Sequence, residues 1–66
     1  MDTNKVAFAT AAHLFRLYVM AFSGIESEQA AVTSAGAAVE AYLVDCGMSQ
    51  HEAARHRDEL MLSFRN

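Results

Sequence analysis

The chain has 66 residues, a net charge of −3, 53% apolar residues, no proline and one cysteine. That length allows a single domain, residues 1–66, with a marginal core of its own, and the lone Cys46 excludes an intrachain disulfide and a cysteine-based zinc site. The acidic balance disfavours nucleic acid as a partner, because phosphate-binding surfaces are built on basic side chains, and the scarcity of cysteine suits a reducing cytoplasm.

The first element is the run from 6 to 22 (VAFATAAHLFRLYVMAF), interrupted only by Thr10, His13 and Arg16. Asp2, Thr3 and Asn4 are candidate caps ahead of it, so a helix is expected over about 4–22. Ser23-Gly24 ends it, with Gly24 expected in the left-handed conformation and Ile25 folding back as the apolar partner. A helix serving one small core shows an apolar stripe little more than 100° wide. This one is apolar almost all round: Phe8, Phe15 and Phe22 recur every seventh residue, while Leu14, Leu17, Tyr18 and Met20 point elsewhere. The surplus predicts a homodimer formed chiefly through this helix, with Phe8, Leu14, Phe15, Leu17, Tyr18 and Phe22 as candidate interface residues. Lys5 ahead of the run imitates a signal peptide, but Ala21-Phe22-Ser23 is a poor cleavage site. His13 and Arg16 also penalise insertion, and the run is shorter than the roughly 20 residues of a bilayer span. The expectation is therefore a cytoplasmic protein with no membrane partner.

A second helix is expected over about 27–46, with Glu26 and Glu28 at its positive end and Gly47 beyond its last turn. It is rich in small residues, among them Ala30, Ala31, Ala35, Gly36, Ala37 and Ala38, which let neighbouring backbones approach closely. The bulk of the core is expected from the first helix, with Val32, Val39, Tyr42 and Leu43 adding to it. Ser49-Gln50-His51-Glu52 then reads as a capping box, with Met48 and Ala53 as a hydrophobic staple, opening a third helix over about 50–64. The fold class is all-α: an antiparallel helical hairpin plus a shorter third helix, in a dimeric bundle.

No catalytic residue, cofactor site or metal site is expected. His51 and His56 superficially resemble a zinc-protease helix, but at five residues apart they lie roughly 140° from one another around it. The reading is a small non-enzymatic interaction module. Arg16, Met20, Tyr42, Met48, Met61 and Phe64 are the candidate partner-binding residues, since arginine, aromatics and methionine suit adaptable interfaces.

Two resemblances bear on function. Residues 38–60 (AVEAYLVDCGMSQHEAARHRDEL) resemble a helix-turn-helix, which implies Ser49, Gln50, His51 and Arg55 as base-reading positions and Arg57 near the backbone. The match departs at Leu43, where that family prefers a small residue. In size, acidity and helical build, the chain resembles small phage-encoded inhibitors of the anti-quorum-sensing and anti-CRISPR type. That likeness implies a homodimeric inhibitor or anti-activator of a bacterial regulatory or defence protein, and it carries no residue assignments.

Overall fold

Helix punctuation decides the architecture. In the computed structural model, which describes residues 3–65 and side chains from Lys5 to Phe64, the chain forms α1 (Thr3–Phe22), α2 (Glu28–Asp45) and α3 (Gln50–Arg65). No strand occurs among the described residues. The capping expected of Asp2, Thr3 and Asn4 lies outside the described side chains.

The two starts that can be inspected are capped by serine. The Ser27 hydroxyl accepts from the Ala30 amide at 3.2 Å, and the Ser49 hydroxyl accepts from the Glu52 amide at 3.1 Å. Each satisfies a donor that has no intrahelical partner. The end of α2 is a Schellman motif on Gly47, whose φ is 100°. The Met48 amide donates to Leu43 at 3.1 Å and the Gly47 amide to Val44 at 2.9 Å. Met48 and Leu43 are both buried, which supplies the apolar contact of that motif.

The end of α1 departs from expectation. Gly24 does not have a positive φ, and Ile25 is 82% exposed instead of folding back. Ser23 takes over the stop: its amide and its hydroxyl both donate to the Val19 carbonyl, at 2.9 and 2.6 Å. The Ile25 and Glu26 amides then both donate to Phe22, so the chain keeps winding right-handed and carries Ile25 into solvent.

α2 packs along both α1 and α3, whereas α1 and α3 scarcely meet. The third helix therefore rests on its own chain. The buried stripe of α1 is Ala7, Ala11, Phe15 and Val19, a four-residue spacing, and not the heptad of phenylalanines. Phe8 and Phe22 are only half-buried. Ala31, Val32, Ala35, Val39 and Leu43 answer from α2, and Leu43 and Val39 are the largest fully buried side chains. The bulk is thus shared between α1 and α2 instead of coming mainly from α1. α3 contributes Ala53 to the core, with Leu60 and Met61 packed against it.

Gly36 makes the second contact possible. A Cβ there would lie 2.9 Å from the Met61 sulfur and 3.2 Å from the Arg57 Cγ, so α3 sits as close to α2 as a missing side chain allows. One turn on, Glu40 accepts a short hydrogen bond from the Arg57 guanidinium, which also reaches Asp58 at 3.0 Å. Asp58, foremost, and Glu40 hold the Arg57 pKa above its ordinary value, against the opposing effect of burial. The pair is partly exposed, so it contributes at most about 1 kcal/mol and chiefly fixes the register of the two helices.

Two glycine series test this account. Gly47→Ala is expected to cost about 1 kcal/mol because alanine is strained at positive φ, while Gly24→Ala should be neutral or stabilising by a few tenths. Gly36→Leu should cost on the order of 2 kcal/mol by overpacking the α2–α3 contact. Urea unfolding midpoints read all three.

Candidate functional site

Because α1 and α3 are both attached to α2 and hardly to one another, a groove of about 1170 Å³ opens between them. Its floor is apolar: Phe8, Phe15 and Val19 come from α1, Leu60 and Phe64 from α3. Two aromatic contacts bridge the helices that form its walls. Phe8 and His56 lie with ring centroids 4.7 Å apart, and Phe15 meets Phe64 edge-on at 6.2 Å. The two contacts advance together along both helices, so α1 and α3 run in the same direction. Such aromatic pairs contribute about 0.5–1.5 kcal/mol each.

The rim is charged. Arg16 stands on the α1 side, Glu59 on α3 and Glu28 at the start of α2. Arg16 and Glu28 form no ion pair among the described residues, and Glu59 approaches only His56, at 3.6 Å. The His56 Nδ1 atom is buried without a hydrogen-bond partner. Met20, 73% exposed, hangs over the α1 edge and Phe64, 40% exposed, over the α3 edge.

Of the six candidate partner-binding residues, the fold brings three together: Arg16, Met20 and Phe64 all line the groove. Met48 is corrected, since at 6% exposed it belongs to the core and offers nothing to a partner. Met61 is half-buried over Gly36 in the α2–α3 contact. Tyr42 is half-buried, with its pKa pushed up first by the adjacent Cys46 side chain and then by burial, Thr10 opposing.

The candidate interface residues divide as well. Phe15 is 2% exposed and is a core residue of its own chain, although its edge reaches the groove floor. Phe8 lines the groove. Leu14, Leu17, Tyr18 and Phe22 do not: at 100° per residue, Leu17 is roughly 100° around α1 from Arg16, on its outer side. Tyr18 stacks on Phe22 at 5.8 Å and packs against the core. The α3 wall, Glu59 and Leu60, escaped sequence reading because that helix looks like a solvated, charge-laced face. The signal was present in the four-residue spacing of Leu60 and Phe64.

The helix-turn-helix positions are exposed at the start of α3: Ser49, Gln50, His51 and Arg55. Ser49 is committed as a cap, Glu52 and Asp58 are exposed among the others, and Arg57 is turned back onto Glu40. No three His, Cys, Asp or Glu side chains gather to hold a metal ion among the described residues. One window of α1, Lys5–Phe22, is long and apolar enough to cross a membrane, with mean hydropathy 1.2. Of that window 22% is buried, and its exposed apolar residues include Val6, Leu17 and Met20.

Comparison with protein-family models, with curated proteins and with solved structures finds no match to this chain.

Proposed function

We propose that the chain is a non-enzymatic protein-interaction module, homodimeric when free, that inhibits or restrains a bacterial regulatory or defence protein by taking one of its helices into the α1–α3 groove. The observation that carries this reading is the groove itself: an apolar floor of Phe15, Val19, Leu60 and Phe64 with Arg16, Glu28 and Glu59 around it. A groove between two helices that run the same way is the form that accepts an amphipathic helix, read through apolar anchors one turn apart. Ionic groups on the rim set orientation and exclude wrong partners more than they add affinity. The exposed methionine at position 20 suits a surface that adapts to its ligand.

A photo-crosslinking residue at Met20, compared with one at the exposed Ala41 on α2, tests this in the bacterial cell. The expected outcome is an adduct with one other protein from position 20 and not from position 41, lost when Phe64→Glu is added. Identical adducts from both positions, or no adduct with another protein, would remove the reading.

Binding through residues 38–60 to DNA makes an opposite forecast. Retention on heparin or mixed DNA that falls by orders of magnitude with salt would transfer function to Gln50, His51 and Arg55. The expected result is no retention at low salt, because Glu52 lies among those positions, Asp58 is exposed further along α3 and Arg57 is already engaged.

A further inference from the structure

Building on the groove as the interaction site, we infer that in the free protein its occupant is α1 of a second copy of the same chain, docked reciprocally, with Arg16 of each copy on Glu59 of the other. The argument is one of complementarity. The groove needs an occupant with an apolar helical face and a charge pattern that answers one cation and two anions. The groove side of α1 meets the acidic part of that need: Ala12, Arg16 and Met20 succeed one another at four-residue spacing and bring one cation to Glu59, while the occupant's own Glu59 answers Arg16 of the groove. In a twofold arrangement the same patch serves as key and lock. Met20, 73% exposed in the single chain, is then covered by the other copy's groove wall, and the exposed edge of Phe64 is covered by the other copy's α1.

Charge selects this occupant among helices. Within one chain, Arg16 and Glu59 face the same groove from opposite walls and form no ion pair. A reciprocal dimer offers each a counter-ion, and the pair forms twice in the assembly. The α2 face gives no comparable occupant, since its exposed residues are mostly small: Ala30, Ala37 and Ala41. One consequence concerns regulation. A groove filled by a second copy is closed to a target helix, so target binding draws on the monomer and self-association limits it by mass action.

Charge reversal tests the pairing. Wild type should be dimeric in sedimentation at micromolar concentration. Arg16→Glu and Glu59→Arg, each shown to be folded by circular dichroism, should each weaken the dimer by at least about tenfold, because like charges then meet. The double variant R16E/E59R should recover it. Mixing the two single variants should give a heterodimer in native mass spectrometry, since each then carries the charges that the other lacks. A monomeric wild type overturns the inference. So does a dimer indifferent to both reversals, which would place the contact on another face, and so does a double variant no better than the singles. These outcomes are distinct from failure of the interaction reading, which is judged by adducts with a different protein from position 20.

Discussion

The structure depends on how thin α2 is. Its faces toward the other helices set Ala31, Ala35 and Gly36 among Val32, Val39 and Leu43, so both neighbours approach its backbone at the small positions and meet one another chiefly through the Phe8–His56 and Phe15–Phe64 contacts. Close approach across glycine and alanine maximises dispersion contacts while burying little side-chain area per residue. A three-helix arrangement with a bulky central helix would push its neighbours outward; this one draws them in on either side and leaves them apart. The groove is the geometric remainder of that choice. Its floor is apolar because the edge of the α1 core stripe, Phe15 and Val19, and the flanking Phe8 border it opposite Leu60 and Phe64.

Energetics follow from the same source. Five of the buried core positions are alanines, at 7, 11, 31, 35 and 53, and the largest fully buried side chains are a leucine and a valine. At about 25 cal/mol per Å² of apolar surface, alanines contribute little each, and a chain of this length starts near the lower limit of independent stability. α3 adds polar residues and few anchors, so its attachment relies on the Gly36 approach, the Arg57–Glu40 bridge and the two aromatic contacts with α1. Those aromatic contacts also form the groove. Stability of the third helix and shape of the binding surface are therefore one property.

The extent to which this was legible in sequence varies with the physics involved. Helix boundaries rest on local chemistry, and Ser27, Ser49 and Gly47 act where their types and spacing place them. Gly24 shows the limit of that reasoning: the same residue type at a helix end need not turn left-handed when a neighbouring serine can satisfy the terminal carbonyl. Phe8, Phe15 and Phe22 are conspicuous in the sequence, yet only Phe15 joins the core stripe of α1, because the face that packs is chosen by fit to a small-residue partner. Against alanine and valine on α2, α1 presents Ala7, Ala11, Phe15 and Val19, and Phe8 and Phe22 fall to the flanks. Which large residues end up uncovered is a tertiary outcome. Composition announced the surplus, but only the placement of α3 put Arg16 and Met20 beside the groove and left Leu17 on the outer side.

Covering that surplus and folding the chain are thermodynamically linked. Any occupant that binds the folded state alone stabilises it by an amount that grows with the logarithm of its concentration. The groove floor includes Phe15 and Val19, which are already core residues, so an occupant adds burial chiefly at Met20 and Phe64. A small alanine-based core is then not a defect in need of compensation elsewhere. On the proposed reading, occupation of the groove by a like chain or by a target helix adds stability to a folded state whose core holds five alanines. The small residues of α2 that let its neighbours approach are thus also the reason the core is small.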